Sequence, residues 1–247
     1  MAVLPPLPAE YEVWSFKGGI AATRRDVTDA VRSALDAGTL YAWAAAQPGR
    51  DVFQGRGEVY GVTLGSRRAV VRHARRGGLL GPLLGDRYRG RPRFAREMKI
   101  SRDLMTDGID TPDVLAGVMY QGGSVHRADV ATARVDGRDL SEIFFGDDPP
   151  AGAARTQILQ AVGELVGRLY RVGFVHPDLQ LKNILMEGSK PWLLDVDTVR
   201  RMSGPGTRLQ NLRRFYRSWD KWNEKHGVKL TKQDREHFSE GFARASR

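Results

Sequence analysis

The chain has 247 residues, 41% of them apolar and 28% charged, which is enough to bury a core as one two-lobed domain and is not the composition of a disordered polypeptide. It has no cysteine, which excludes a disulfide framework and any thiolate metal site. Its net charge of +10 implies an anionic partner: nucleic acid, an anionic membrane surface or a phosphorylated substrate.

In chain order, the opening MAVLPPLPAE lacks a cationic stretch followed by an apolar run, so no signal peptide is expected. No segment approaches the roughly 18 apolar residues of a membrane span, and the expected location is the cytoplasm. Residues 1–48 read as an N-terminal extension with a helical stretch, Asp26 to Ala46, closed by the turn Gln47-Pro48-Gly49. Three short alternating runs follow, Asp51 to Gln54, Val59 to Leu64 and Ala69 to His73. The glycines between them (Gly55, Gly57, Gly65) mark antiparallel hairpins. Gly77 to Gly85 is glycine-rich and reads as a loop. Arg93 to Asp107 is a helix presenting Phe94, Met98 and Met105 on one face, ended by Gly108 and Pro112.

Val114 to Tyr120 and Ala128 to Val135 are two further strands, and Asp136-Gly137-Arg138 is a turn that links two lobes. Beyond it the pattern is helical: Ile158, Leu159, Val162, Leu165, Val166, Leu169 and Tyr170 form an apolar stripe. Strands with one helix, then a linker, then helices predict an α+β bilobal domain over 1–247. Residues 1–136 form an antiparallel sheet lobe and 137–247 a short, mainly helical lobe, with a ligand cleft between them.

The chemistry is carried by Phe174-Val175-His176-Pro177-Asp178-Leu179-Gln180-Leu181-Lys182-Asn183-Ile184-Leu185-Met186 and, twelve residues past Asn183, by Asp195 at the end of Trp192-Leu193-Leu194-Asp195. This is H-x-D-x-x-x-x-N followed by an Asp-ended strand, the protein-kinase arrangement. Phosphoryl transfer needs a carboxylate to orient the acceptor hydroxyl and oxygen ligands to hold Mg²⁺ beside the phosphates of ATP. Asp178 is assigned the first role, Asn183 and Asp195 the second, and His176 a bracing role. Asp197 stands where D-F-G kinases have glycine, and is placed either as a further Mg²⁺ ligand or as an arginine partner. Three fixed positions coincide by chance in about 1 in 10⁴ windows, and the surrounding helix and strands make coincidence rarer still.

The remaining kinase parts must then precede this loop in order. Gly55-Arg56-Gly57 supplies two glycines of a phosphate-binding loop, although Tyr60 occupies the third glycine position and a plain hairpin turn has the same composition. Ala69-Val70-Val71-Arg72 takes the place of the V-A-I-K strand with arginine for lysine, and Glu97 on the next helix is its natural partner; the alternative for Glu97 is a surface pair with Arg93 or Arg96. Val135 and Lys182 complete the nucleotide-binding candidates, Lys182 through the γ-phosphate.

These segments, with Val71 to Leu79, Gly85 to Tyr88, Phe94 to Glu97, Asp195 to Asp197 and Asn211 to Arg214, resemble the lipopolysaccharide kinase family, and within it the 3-deoxy-D-manno-octulosonic acid (Kdo) kinases. An arginine on the strand is a feature of that family. The resemblance implies an enzyme at the cytoplasmic face of the inner membrane that phosphorylates a Kdo hydroxyl on a lipid A precursor. An anionic acceptor in an anionic bilayer suits the Arg-rich stretch Arg72 to Arg93, since each cation near such a surface contributes about 1 kcal/mol. No A-P-E motif follows Asp195, which argues against a protein substrate. Alternatives are a heptose kinase of lipopolysaccharide, a protein Ser/Thr kinase, and a pseudokinase that binds a membrane or partner. Nucleic-acid binding finds no motif to support it.

Overall fold

The computed structural model describes residues 4–54, 57–74, 86, 88, 90, 92–122, 125–202 and 209–247. Gly55 and most of the Arg72 to Arg93 stretch, including the Gly77 to Gly85 segment, lie outside them. Two compact units are present, residues 1–102 with 112–134, and residues 103–111 with 135–247.

The first unit is built on a seven-stranded antiparallel sheet. Its strands are β1 (Tyr11–Phe16), β2 (Gly19–Arg24), β3 (Asp51–Gln54), β4 (Glu58–Leu64), β5 (Arg67–His73), β6 (Val114–Gly122) and β7 (Val125–Ala133), in the order β1-β2-β6-β7-β5-β4-β3. Helices α1 (Thr28–Asp36) and α2 (Leu40–Ala46) follow β2, and α3 (Arg93–Thr106) precedes β6. On one face Val31, Ala34, Leu40 and Ala44 of α1 and α2 pack with Val62, Leu64, Val71, Leu115 and Val118. On the other, Phe94, Ala95 and Met98 of α3 pack with Ala22, Val114, Met119 and Val130. β6 is therefore buried on both faces along its first six residues, which explains why its sequence is an unbroken apolar run.

Two expectations are corrected by the sheet pairing. Residues 11–46 are not an extension carrying one helical stretch: β2 pairs with β6 from Gly19↔Tyr120 to Thr23↔Ala116, so they supply two strands and two helices to the sheet unit. Among the described residues the sheet consequently has three helices against it rather than one. On α3, Met105 is half-buried and Leu104 beside it is fully buried.

The second unit contains β8 (Arg138–Asp139), α4 (Leu140–Phe145), α5 (Gly152–Val172), β9 (Phe174–Val175), β10 (Ile184–Glu187), β11 (Lys190–Leu193), β12 (Arg200–Arg201), α6 (Gln210–His226) and α7 (Lys232–Ala245). The β8-β10-β11 sheet is small, and the segment around Asp110 is tied to it by Leu193 N–H donating to the Asp110 carbonyl at 2.8 Å and by Lys190 pairing with the Asp110 carboxylate at 2.8 Å. The expected stripe on α5 is the core: Leu159, Val162, Leu165, Val166 and Leu169 are buried.

Between the stripe residues, Gly163 and Gly167 let α7 approach backbone to backbone. A Cβ on Gly163 would lie 2.1 Å from the Phe238 carbonyl oxygen, and one on Gly241 of α7 would lie 2.1 Å from that of Gln160. α5 ends at Gly173 in the left-handed region (φ 76°), a C-cap that favours glycine and turns the chain directly into the loop carrying His176 and Asp178. α7 starts with a capping box between Thr231 and Asp234. Burial alone would raise the Asp234 carboxyl, but hydrogen bonds from Arg155 and Thr231 outweigh it and hold the group below the usual carboxylate range.

Candidate active site

In the second unit, three antiparallel pairings fix the loop from His176 to Asn183. β9 pairs with β12 before it, and β10 pairs with both β8 and β11 after it. Between them, His176 is fully buried. The Asp178 backbone N–H donates to His176 Nδ1 at 3.2 Å, so Nδ1 is the acceptor and the proton sits on Nε2, which donates to the Leu194 carbonyl at 3.0 Å. Burial pushes the imidazole below its ordinary pKa, as a neutral brace requires. His176 thus joins the residue beside Asp195 to the backbone of Asp178.

Asn183 closes the loop. Its Nδ2 donates to the Asp178 carbonyl at 2.8 Å, and its own carbonyl accepts from Leu194 N–H at 2.9 Å. Asp178, Asn183 and Leu194, the residue before Asp195, are therefore joined by four hydrogen bonds, two of them through His176. Asp195 is exposed and has φ 57° and ψ 48°, the only non-glycine residue with positive φ among those described. Such a conformation costs about 1 kcal/mol or more and persists where its surroundings impose it; here the flanking Leu194 is held at both its N–H and its carbonyl.

Asp178 is held from α6 as well. Arg214 Nη2 donates to Asp178 Oδ1 at 2.5 Å while Arg214 Nε reaches the Pro177 carbonyl at 3.2 Å, and Gln180 Nε2 donates to Asp178 Oδ2 at 3.1 Å. Asn211, one turn earlier on α6 and fully buried, accepts from His176 N–H at 2.9 Å and donates to the Phe174 carbonyl at 2.7 Å. Ser218 accepts from Leu181 N–H at 3.2 Å. Sequence reasoning quoted Asn211 to Arg214 without giving these residues a role, although the spacing 211, 214, 218 places them on one helix face. Lys182 is exposed, with its ammonium 5.4 Å from the centroid of the Trp222 ring. Asp197 is half-buried in the 3-10 turn Val196–Thr198. Val135 opens the longer segment of this unit, two positions past β7, and is half-buried.

In the first unit, Arg72 and Glu97 meet. Arg72 Nη2 donates to both Glu97 oxygens at 2.6 Å, and the Glu97 side chain is 6% exposed. Glu97 therefore pairs with the strand cation and not only within its own helix. A single guanidinium nitrogen, Nη2, straddles the carboxylate. Gly57 lies in the bend before β4. Tyr60, at the third glycine position, is buried against Tyr41 at 5.0 Å between centroids, and its hydroxyl donates to Glu58 at 2.6 Å. It belongs to the sheet core.

Among the described residues no three His, Asp or Glu side chains are grouped to hold a metal ion. The candidate Mg²⁺ ligands are instead an amide and carboxylates, and their chemistry fits a hard cation. The Asn183 NH₂ is committed to the Asp178 carbonyl, so its oxygen is the atom it can offer. The Asp195 carboxylate has no hydrogen bond or ion pair among the described residues.

The model of the lipopolysaccharide kinase (Kdo/WaaP) family matches residues 43–242. The chain is 31% identical over 191 residues to a 3-deoxy-D-manno-octulosonic acid kinase of Vibrio parahaemolyticus, covering 72% of this chain and 78% of that one. It is 32% identical over 204 residues to a protein of the same name in Actinobacillus succinogenes, covering 76% and 82%. A solved structure, WaaP in complex with acyl carrier protein, superposes with a TM-score of 0.54 at 18% identity over 87% of this chain and 86% of that one, a likeness of fold that is protein-kinase-like. The family match takes in residues of both units and every site position described above, so the chain belongs to the lipopolysaccharide kinase (Kdo/WaaP) family and is a phosphotransferase that takes its phosphate from ATP.

Proposed function

We propose that the chain transfers the γ-phosphate of Mg-ATP to a hydroxyl of a 3-deoxy-D-manno-octulosonic acid residue on a lipid A precursor, as a peripheral enzyme on the cytoplasmic face of the inner membrane. The reading is carried by relatives of that name at about 30% identity, together with an Asp178-Asn183-Asp195 arrangement that a kinase needs. In this reading Asp178 orients the acceptor hydroxyl and receives its proton late in the transfer. Arg214 and Gln180 hold its two oxygens so that the carboxylate is aimed before substrate arrives. Asn183 and Asp195 hold Mg²⁺, with Asp197 as a further candidate. When bound, the ion neutralises charge developing on the phosphates. Arg72 contacts phosphate while Glu97 fixes its position, and Gly57, with Gly55 ahead of it, offers backbone N–H groups to the nucleotide. Val135 lies against the base. Lys182 is the least supported member, because its ammonium is engaged with Trp222.

The acid named in the relatives favours this acceptor over a heptose or a protein side chain. No helix among the described residues is long and apolar enough to cross a membrane, and peripheral attachment through the net charge of +10 is the mode proposed. The test is incubation of the chain with labelled ATP and either Kdo-lipid A or a generic protein substrate, read by mass analysis. The glycolipid is expected to gain one phosphate and Asp178→Ala to lower kcat by about 10²–10⁴-fold while Mg-ATP affinity holds. Asp195→Ala is expected to lose the Mg²⁺ dependence of nucleotide binding. Labelled protein with unlabelled glycolipid would overturn the acceptor, and full turnover by Asp178→Ala would remove that residue from the chemistry.

A further inference from the structure

α6 presents Arg214, Lys221, Trp222 and Lys225 along one face, at spacings of seven, one and three residues. Together with Gln180 and Lys182 of the catalytic loop they line a pocket of about 270 Å³. The pocket adjoins Asp178: two of its lining side chains, Gln180 and Arg214, are the ones hydrogen-bonded to the Asp178 carboxylate. Four cations surround it and no carboxylate lines it. Lys182, Lys221 and Lys225 have no ion pair or hydrogen bond among the described residues, and the nearby Asp220 is turned to Arg235. Like charges gathered in a concavity repel one another unless an anion enters. The pocket also has a fixed aromatic wall: Trp222 is stacked with His226 at 4.7 Å and 17° and braced by Phe145 at 5.2 Å. An indole held this way offers a flat apolar surface to the C–H face of a sugar ring.

We infer that this pocket is the acceptor subsite, with Lys221 and Lys225 holding the carboxylate of an acidic sugar whose ring lies on Trp222, so that a ring hydroxyl is presented to Asp178. The inference rests on the proposed phosphoryl transfer and deepens it: Lys221, Lys225 and Trp222 become the residues that select an acidic sugar over a neutral one. Lys182 then serves the acceptor side of the site, in keeping with its place beside Trp222, and Arg214 is a positioning residue that sets the angle of Asp178 from the same helix.

The test is direct binding to the full chain, followed by NMR, of three probes: free 3-deoxy-D-manno-octulosonic acid, its methyl ester, and a bisphosphorylated glucosamine disaccharide without the acid sugar. The wild type is expected to bind the acid about tenfold more tightly than the ester, the worth of one or two charge-assisted contacts. Lys221→Gln with Lys225→Gln should erase that preference while ester binding stays, and that retained binding also shows that the double variant is folded. Trp222→Ala should weaken acid and ester alike. The inference fails if the wild type does not distinguish acid from ester. It fails if the double variant keeps the preference, or if neither sugar binds at concentrations on the order of 10 mM. It also fails if the double variant loses the phosphorylated disaccharide and keeps the acid, since the lysines would then be a phosphate site. Phosphate transfer from ATP is scored separately: acid-selective binding without transfer supports the pocket and counts against the kinase reading alone.

Discussion

His73 sits between two carboxylates of the first unit. Its Nδ1 meets Asp129 at 2.6 Å and its Nε2 meets Asp86 at 3.0 Å. Tyr41 packs 5.6 Å away, Tyr120 donates to Asp129 at 2.8 Å, and Arg127 pairs with Asp86 at 2.8 Å. The hydrogen bond to Asp129 raises the imidazole pKa; burial opposes this but does not cancel it. A group whose folded pKa is raised contributes stability that is complete below its unfolded value, about 6.5, and is lost as pH rises through the folded value. His73→Gln should therefore lower the denaturation midpoint more at pH 6 than at pH 9. An equal loss at both would show that the imidazole is held as a neutral ring and that its charge plays no part. The pairing of Arg72 with Glu97 makes a different demand, because one nitrogen already straddles the carboxylate. Lysine has a single nitrogen for both partners, so Arg72→Lys is expected to raise the KM for ATP with a smaller change in kcat. Unchanged kinetics would mean that any cation suffices on this strand.

At the scale of elements, α5 and α7 are held together by glycines. The atom nearest a new Cβ at Gly241 is a backbone carbonyl oxygen at 2.1 Å, which cannot rotate aside, so the helices would have to part and their buried stripe with them. Alanine gains about 1 kcal/mol of helix propensity over glycine, whereas forcing a packed interface open costs about 1–3 kcal/mol or more. Gly241→Ala is expected to destabilise the chain on balance, and a raised urea midpoint would show that the contact is softer than its geometry implies. The stripe was legible in the sequence; the glycines between its members were not, because a small residue in a helix gives no sign of what lies opposite. β1 and β2 were missed for a related reason. β1 is exposed or half-exposed at five of its six positions, and β2 is built from small residues, so neither shows strand alternation, and β6, the partner of β2, lies more than ninety residues beyond it. The loop from His176 to Asn183 and the strand before Asp195 were legible because their residues lie within twenty positions of one another. The pocket on α6 was not, because its walls come from segments more than thirty residues apart and its lysines read as a solvated helix face.

For the whole molecule, the proposed attachment to a membrane rests on the net charge of +10. Each cation near an anionic surface contributes about 1 kcal/mol, so a handful acting together would hold the chain at a bilayer without any spanning helix. Attraction of this kind is screened: the Debye length falls from about 10 Å at 0.1 M salt to about 3 Å at 1 M. Attachment by inserted apolar side chains would respond in the opposite sense, since it gains from salts that strengthen apolar burial. The chain is accordingly expected to co-sediment with vesicles containing about 30% anionic lipid at low salt, to be released on the order of 0.5 M salt, and to ignore neutral vesicles throughout. Retention on anionic vesicles at high salt would assign the attachment to apolar insertion, and binding to neutral vesicles would remove charge from the account. If charge is the tether, salt should also raise the KM for a glycolipid acceptor in vesicles far more than for the same sugar free in solution, because only the lipid-borne acceptor depends on the enzyme being held at the surface.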